Sequence, residues 1–193
     1  MRLTGSLDEP ELAFLPWNVA LEEWPDDLVV ALPRGISRHI VRFVRLSGTV
    51  YAVKEVEESF AQREYELLFD LQRRGLPTVE PVGIVLDRVD AHGEPLPAAL
   101  ITRHLEFSLP YRALFDFGVR PDTVSRLIDA LVVLLVRLHL IGFLWGDVSL
   151  SNTLFRRDAG AFAAYLVDAE TGELHPSLST GQRVYDLETA ATN

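Results

Sequence analysis

The chain has 193 residues, 48% of them hydrophobic, a formal net charge of -10 and no cysteine. That length fits one domain or one two-lobed unit, and the apolar content is ample for a core. The acidic balance argues against nucleic acid or an anionic membrane surface as the main partner, and the lack of cysteine excludes disulfides and thiolate metal sites.

The first ten residues are polar and acidic and lack the apolar core of a signal peptide. Nothing in the sequence directs the chain out of the cell, so a cytoplasmic location is expected. Residues 8–27 mix acidic residues with Pro10, Pro16, Pro25, Trp17 and Trp24. Residues 1–26 are therefore expected to be an extension that packs its aromatics on the domain. Strands are predicted over 28–32, 40–46 and 49–56, joined by the turns 33–37 and Ser47-Gly48, as an antiparallel meander. A helix follows. Ser59 can cap it, Gln62 sits at the third position after that cap, and Phe60, Tyr65, Leu67, Leu68 and Leu71 give it an apolar side that ends at Gly75.

Two more strands fit 83–88 and 98–103, on either side of the turn-rich residues 90–95. A short helix fits 111–117, and a long one spans 121–141 with Pro121 in its first turn. The stretch 127–145 is the most membrane-like, yet Asp129, Arg137 and His139 interrupt it, which reads as a buried helix and not a membrane span. The last strands, near 153–156 and 165–167, flank a polar hairpin at 157–160. A sheet first and helices second gives an α+β fold.

The chemistry concentrates in Leu138 to Glu170. Gly146-Asp147 is followed by Asn152 in the form G-D-x-x-x-x-N-x-L, and Asp168 ends the apolar run Leu166-Val167. One aspartate can serve a substrate hydroxyl while the asparagine and the second aspartate hold a metal between phosphates, which is the division of labour of phosphoryl transfer. Upstream, Tyr51-Ala52-Val53-Lys54 lies on a strand, where Ala52 and Lys54 share a face and Val53 takes the other. A small residue beside an inward lysine suits a flat ligand against the sheet. On the next helix Glu64 is the first choice to pair with Lys54, and Glu66 replaces it if the helix phase is off by one residue. The turn 33–39 holds a single glycine, Gly35, with Arg34, Ser37, Arg38 and His39 as donors for phosphate oxygens or as an ordinary solvated turn.

In this order and spacing, Lys54, Glu64, Asp147, Asn152 and Asp168 resemble the protein-kinase-like superfamily. The G-D-x-x-x-x-N form is closer to bacterial small-molecule and lipopolysaccharide-core (Kdo) kinases than to the H-R-D pattern. P-R-G-I-S-R-H, L-I-T-R-H-L-E-F-S-L-P-Y-R and L-V-D-A-E-T-G-E-L look like an uncharacterised bacterial family of lipopolysaccharide-kinase-like proteins. The resemblance implies a two-lobed protein-kinase-like fold, with a five-stranded antiparallel N-lobe carrying one helix over 27–103 and a reduced, mostly helical, truncated C-lobe over 104–193. It implies ATP and Mg2+ as cofactors. Lys54 would contact the α- and β-phosphates, with Glu64 holding it, and Asp147 would take or orient the substrate hydroxyl proton. Asn152 and Asp168 would bind magnesium. Residues 102–106 would connect the lobes, with adenine against the backbone near Arg103 and Leu105. Asp186 resembles the helix aspartate that braces the catalytic loop.

The departures from the family pattern set the rival readings. Trp145 replaces the usual histidine, which removes a loop-bracing side chain. Ser149 stands where many kinases carry a lysine that neutralises the transferring phosphate, Asp168-Ala169-Glu170 replaces D-F-G, and Glu170 adds a second potential metal ligand. The chain stops soon after Asp186, as a minimal C-lobe or a fragment would. The expected function is ATP- and magnesium-dependent phosphorylation of a hydroxyl on a small molecule, sugar or lipid-linked glycan. The alternative is a pseudokinase, a nucleotide-sensing or protein-interaction module. A protein-substrate kinase is disfavoured, since no A-P-E-like anchor follows Asp168.

Overall fold

Alternating side chains build the first sheet. The computed structural model describes residues 1–5, 9–32, 38–110, 121–158 and 160–193. Strands β1 (Arg2–Gly5), β2 (Val41–Leu46), β3 (Thr49–Val56), β4 (Glu80–Leu86) and β5 (Ala98–Arg103) pair antiparallel in the order β1-β4-β5-β3-β2. Tyr51, Val53 and Glu55 are buried on one face of β3, while Ala52 and Lys54, half-buried, take the other. The chain divides into two units. This sheet lies in the first, made of Met1–Leu32, Ser37–Glu66 and Glu80–His104.

One face of the sheet is covered by the chain's own N-terminal segment. Leu12, Leu15, Trp17, Leu21 and Trp24 form a continuous buried cluster with Val44, Tyr51, Val53, Val82, Val85, Ala99 and Ile101. Trp17 and Trp24 meet edge to face at 5.3 Å, the arrangement the aromatic quadrupole favours. A buried ion pair fastens this layer. Arg88 Nη1 donates to Glu55 Oε1 at 2.7 Å, and the other guanidinium bonds go to the carbonyls of Trp17, Val19 and Pro97. Glu55 Oε1 also accepts the Leu21 N–H at 3.0 Å. The expectation that the tryptophans pack on the domain therefore holds.

Three local expectations change. Residues 28–32 do not form a strand: the segment makes one isolated bridge, Val29 with Val44, and a bond from Val30 N–H to the Phe43 carbonyl. Its apolar side chains serve packing, since Leu28 and Val29 lie against the cluster, and Pro33, which has no N–H, follows directly. The fifth strand is Arg2–Gly5 instead, too short and polar to signal itself. It pairs with β4 where Gly5 opposes Gly83, an approach so close that a Cβ on Gly5 would lie 2.3 Å from the Val82 carbonyl oxygen. Strand β4 starts three residues earlier than 83 and stops at Leu86, because Asp87 (φ 52°) turns the chain and sends Arg88 inward.

Helix α1 (Glu58–Arg73) buries Ala61, Glu64, Leu68 and Leu71 along one face. Its start is set by Glu57 and not by Ser59. The Glu57 carboxylate accepts both the N–H and the hydroxyl of Ser59, and these bonds hold its carboxyl below the ordinary carboxylate range.

The second unit contains Leu67–Val79 and Leu105–Asn193. Strands β6 (Ser108–Pro110), β8 (Thr153–Asp158) and β9 (Ala161–Leu166) form one small sheet in the order β6-β8-β9, and β7 (Phe143–Leu144) pairs with β10 (Glu173–Leu174). Residues 157 and 158, expected in a hairpin loop, extend β8, and β9 begins four residues before 165. The run Ala161–Ala164 has too little polar alternation to announce a strand.

Helix α2 (Pro121–Leu140) buries Leu127, Leu131, Leu134, Leu135, Leu138 and His139 and packs on β9. Helix α3 (Thr180–Thr192) is capped by Ser179 and Gln182, each side chain bonding the other's backbone. No helix among the described residues is long and apolar enough to cross a membrane. The helix expected over 111–117 lies outside the described residues.

Candidate functional site

In the first unit, parity along β3 decides the lysine. Lys54 pairs across the sheet with Val41 on β2 and Leu100 on β5, and shares its face with Ala52. Lys54 Nζ donates to Glu64 Oε2 at 2.9 Å, with 12% and 1% of the two side chains exposed. Such a buried pair fixes the ammonium direction far more tightly than a surface pair would. Glu66, the alternative from helix phase, is exposed.

Arg103, at the end of β5, pairs with Glu80 at 2.9 Å and lies over the Tyr51 ring. In the second unit the Leu105 carbonyl accepts both the N–H and the hydroxyl of Ser108, so that carbonyl is engaged in its own turn. Gly35, with Arg34 and Ser37, lies outside the described residues. Arg38 and His39 are described, and the Arg38 Nε donates to His39 Nε2.

The second unit assembles the acidic constellation. Gly146 (φ 80°) lets the chain turn sharply after β7, and Asp147 emerges exposed. Asn152 Nδ2 donates to Asp147 Oδ2 at 3.0 Å and to the Asp147 carbonyl at 3.1 Å. With its nitrogen committed there, Asn152 presents its Oδ1 on the opposite side as an acceptor. The Asn152 carbonyl in turn accepts the N–H of Val167, one residue before Asp168. Asp168 Oδ1 accepts the Glu170 N–H at 2.9 Å, and carboxylate oxygens of Asp168 and Glu170 lie within 4.8 Å of each other. These are hard oxygen donors, the type magnesium takes, so the residues fit the ion the family pattern implies.

Beneath the loop sits Asp186, fully buried on α3. Its Oδ1 accepts the Gly146 N–H at 2.8 Å, and its Oδ2 accepts the Trp145 N–H at 3.0 Å and meets His139 Nε2 at 2.9 Å. One carboxylate thus satisfies two loop amides, that of buried Trp145 and that of half-buried Gly146. His139 was missed as a site residue because the sequence showed it only as an interruption of an apolar helix. Its signal is its phase: it lies four residues after Leu135 and eight after Leu131, on the buried side.

Trp145 corrects a further expectation. It does not leave the loop without a brace: its indole N–H donates to the Asp168 carbonyl at 2.9 Å, and its own carbonyl accepts the Thr171 hydroxyl at 2.9 Å. Ser149 takes part in the turn itself. Its hydroxyl accepts the Asn152 N–H and its carbonyl accepts the Thr153 hydroxyl.

The chain matches the family model described as the lipopolysaccharide kinase (Kdo/WaaP) family over residues 41–190. Among solved structures it is similar to one titled WaaP in complex with acyl carrier protein, at TM-score 0.59 and 17% identity, covering 99% of this chain and 80% of that one. It is also similar to the BubR1 kinase domain (TM-score 0.56, 13% identity, 79% of this chain) and to the structure titled Rad53 kinase domain and SCD2 (TM-score 0.52, 15% identity, 70% of this chain). The chain spans about half the length of these last two, 49% of each. No curated protein sequence matches it significantly. At these identities the structural likeness establishes a kinase-like fold, and the chain belongs to the lipopolysaccharide kinase (Kdo/WaaP) family.

Proposed function

We propose that this member of the lipopolysaccharide kinase family is an ATP- and magnesium-dependent phosphotransferase acting in the cytoplasm on a hydroxyl of a sugar, lipid-linked glycan or small molecule. The observation that carries the reading is the loop geometry. Asp147 is held exposed by Asn152, and the loop is anchored from within by Asp186. Holding an exposed acid in place costs folding energy and suits a group that must meet a substrate.

In this reading Asp147 orients the acceptor hydroxyl and takes its proton as the oxygen bonds to the γ-phosphorus. The bond from that phosphorus to the bridging oxygen breaks, and ADP leaves with the electron pair. Lys54, directed by Glu64, neutralises charge on the α- and β-phosphates. Asn152 and Asp168 would hold magnesium, with Glu170 beside them, and the ion supplies charge neutralisation on the phosphates. Ala52, Arg103, Leu105 and Gly35 are assigned to the nucleotide, the adenine lying against backbone near Arg103 and Leu105. The partition into an extension (1–26), N-lobe (27–103) and C-lobe (104–193) belongs to the same proposal.

Ser149 favours the second reading, a pseudokinase that binds nucleotide without turnover, since no cation replaces the lysine at that position. The deciding experiment measures magnesium-ATP binding and slow ATP hydrolysis for the parent and Asp147→Asn. The enzyme reading expects near-equal binding and a turnover loss of at least tenfold in the variant. Binding without turnover above background in the parent, even with candidate sugar and lipid acceptors, replaces it with the pseudokinase reading.

A further inference from the structure

The segments that carry Asp147 and Asp168 are joined by a series of contacts with Trp145 at its centre. On one side, β7 and β10 pair Leu144 with Glu173 and Phe143 with Leu174. Next along the chain, the Thr171 hydroxyl donates to the Trp145 carbonyl, and the Trp145 indole N–H donates back to the Asp168 carbonyl. Trp145 is fully buried, and its own N–H is held by Asp186. The packing around it is tight: a Cβ on Gly146 would lie 3.2 Å from the Thr171 carbonyl oxygen, and one on Gly172 would lie 2.4 Å from the Phe143 ring. On the far side the Asp168 side chain is fixed by the Glu170 N–H.

We infer that Trp145 is a positioning residue: its indole N–H sets the backbone of Asp168 against the loop of Asp147 and Asn152, so that the acidic groups keep the spacing a divalent cation requires. The inference rests on the proposed phosphotransferase site and adds to it a residue that touches neither nucleotide nor acceptor. A rigid bicyclic donor suits this role. The buried indole has few rotamers, so one hydrogen bond fixes the carbonyl direction at low entropic cost. Partners that orient metal ligands without touching the metal typically change metal affinity roughly 10–100-fold when removed.

The test titrates magnesium against a fluorescent ATP analogue for the parent, Trp145→Phe, Trp145→His and Thr171→Val, with thermal melts alongside. Trp145→Phe keeps an aromatic ring and deletes the donor. Its half-saturating magnesium concentration is expected to rise roughly tenfold or more, while analogue binding without magnesium stays within twofold of the parent. Trp145→His, which restores a ring N–H, should recover part of the loss, a rescue that simple filling of the core would not produce. Thr171→Val, a near-isosteric change, should shift the same titration in the same direction by less. A magnesium titration unchanged in Trp145→Phe overturns the inference. If Trp145→Phe does not fold, an unchanged titration in Thr171→Val overturns it equally. A parent that binds the analogue with no response to magnesium overturns the phosphotransferase reading and this inference together. A magnesium-responsive parent with indifferent variants removes only the role of Trp145.

Discussion

Replacing Arg88 by methionine tests how the N-terminal segment is held to the sheet. Arg88 has no exposed side-chain surface and reaches four oxygen partners, Glu55 Oε1 and the carbonyls of Trp17, Val19 and Pro97. Methionine refills much of the aliphatic volume but leaves the Glu55 carboxylate buried, with the Leu21 N–H still donating to it. Removing one partner of a buried ion pair costs roughly 3–5 kcal/mol, because the surviving charge stays desolvated. The abandoned carbonyls add on the order of 1 kcal/mol each where water cannot reach them. These terms overlap, so a total of about 4 kcal/mol is expected, a large share of the roughly 5–15 kcal/mol that stabilises an ordinary domain.

At about 2–4 °C per kcal/mol for a chain of this size, the melting temperature should fall by roughly 8–16 °C. Urea unfolding followed by tryptophan emission is the suitable assay, since Trp17 and Trp24 sit inside the affected cluster. Adding Glu55→Leu to Arg88→Met removes the stranded charge, and the double variant should regain at least about 2 kcal/mol over Arg88→Met. A cost below about 1 kcal/mol for Arg88→Met, or a double variant equal to the sum of the singles, would refute the reasoning.

Two further variants probe the site and its frame. Lys54→Met should weaken ATP binding roughly tenfold or more, as loss of a charge-assisted phosphate bond of about 1.5–3 kcal/mol requires, and unchanged calorimetric affinity would remove Lys54 from the nucleotide site. Gly142→Ala places a methyl 2.0 Å from the His175 carbonyl oxygen at a residue with φ 83°, so the junction of α2 with β7 must move. The expected loss is on the order of 2 kcal/mol or more, read by thermal melting, and a parent-like melt would show that the junction yields freely.

Much of this was legible from residue type and period. The alternation in Tyr51 to Val56 located β3 and put Lys54 and Ala52 on one face, while Glu64 was the first choice beside the lysine with Glu66 in reserve, and the ion pair decides for Glu64. The same alternation also pointed Glu55 inward, beside Tyr51 and Val53, though a charged residue at a strand position reads by default as solvated. Its partner Arg88 lies 33 residues away, a separation no local pattern reports. Likewise β1 carries four residues whose pairing is set entirely by β4. Trp145 was misjudged for a related reason. Residue type suggested that a loop-bracing side chain was lost, but an indole N–H is also a donor, and only the placement of the Asp168 carbonyl shows where it goes.

The anchoring of the second unit also bears on how mutational data should be read. Asp186 is buried and bonded to two amides and a histidine, so its replacement would strand several polar groups and unsettle the fold along with the loop. Loss of activity in such a variant could not be assigned to chemistry. Asp147 differs in kind. It is exposed, and among the described residues its side chain is bonded by Asn152, so it contributes little to stability. A carboxylate that the fold can lose cheaply, on a loop that a buried carboxylate anchors and a left-handed glycine turns, is one whose removal reports on reaction and binding with little interference from folding. That separation makes Asp147→Asn the decisive variant for the phosphotransferase reading, and it makes a melting temperature close to the parent's a condition for interpreting the result.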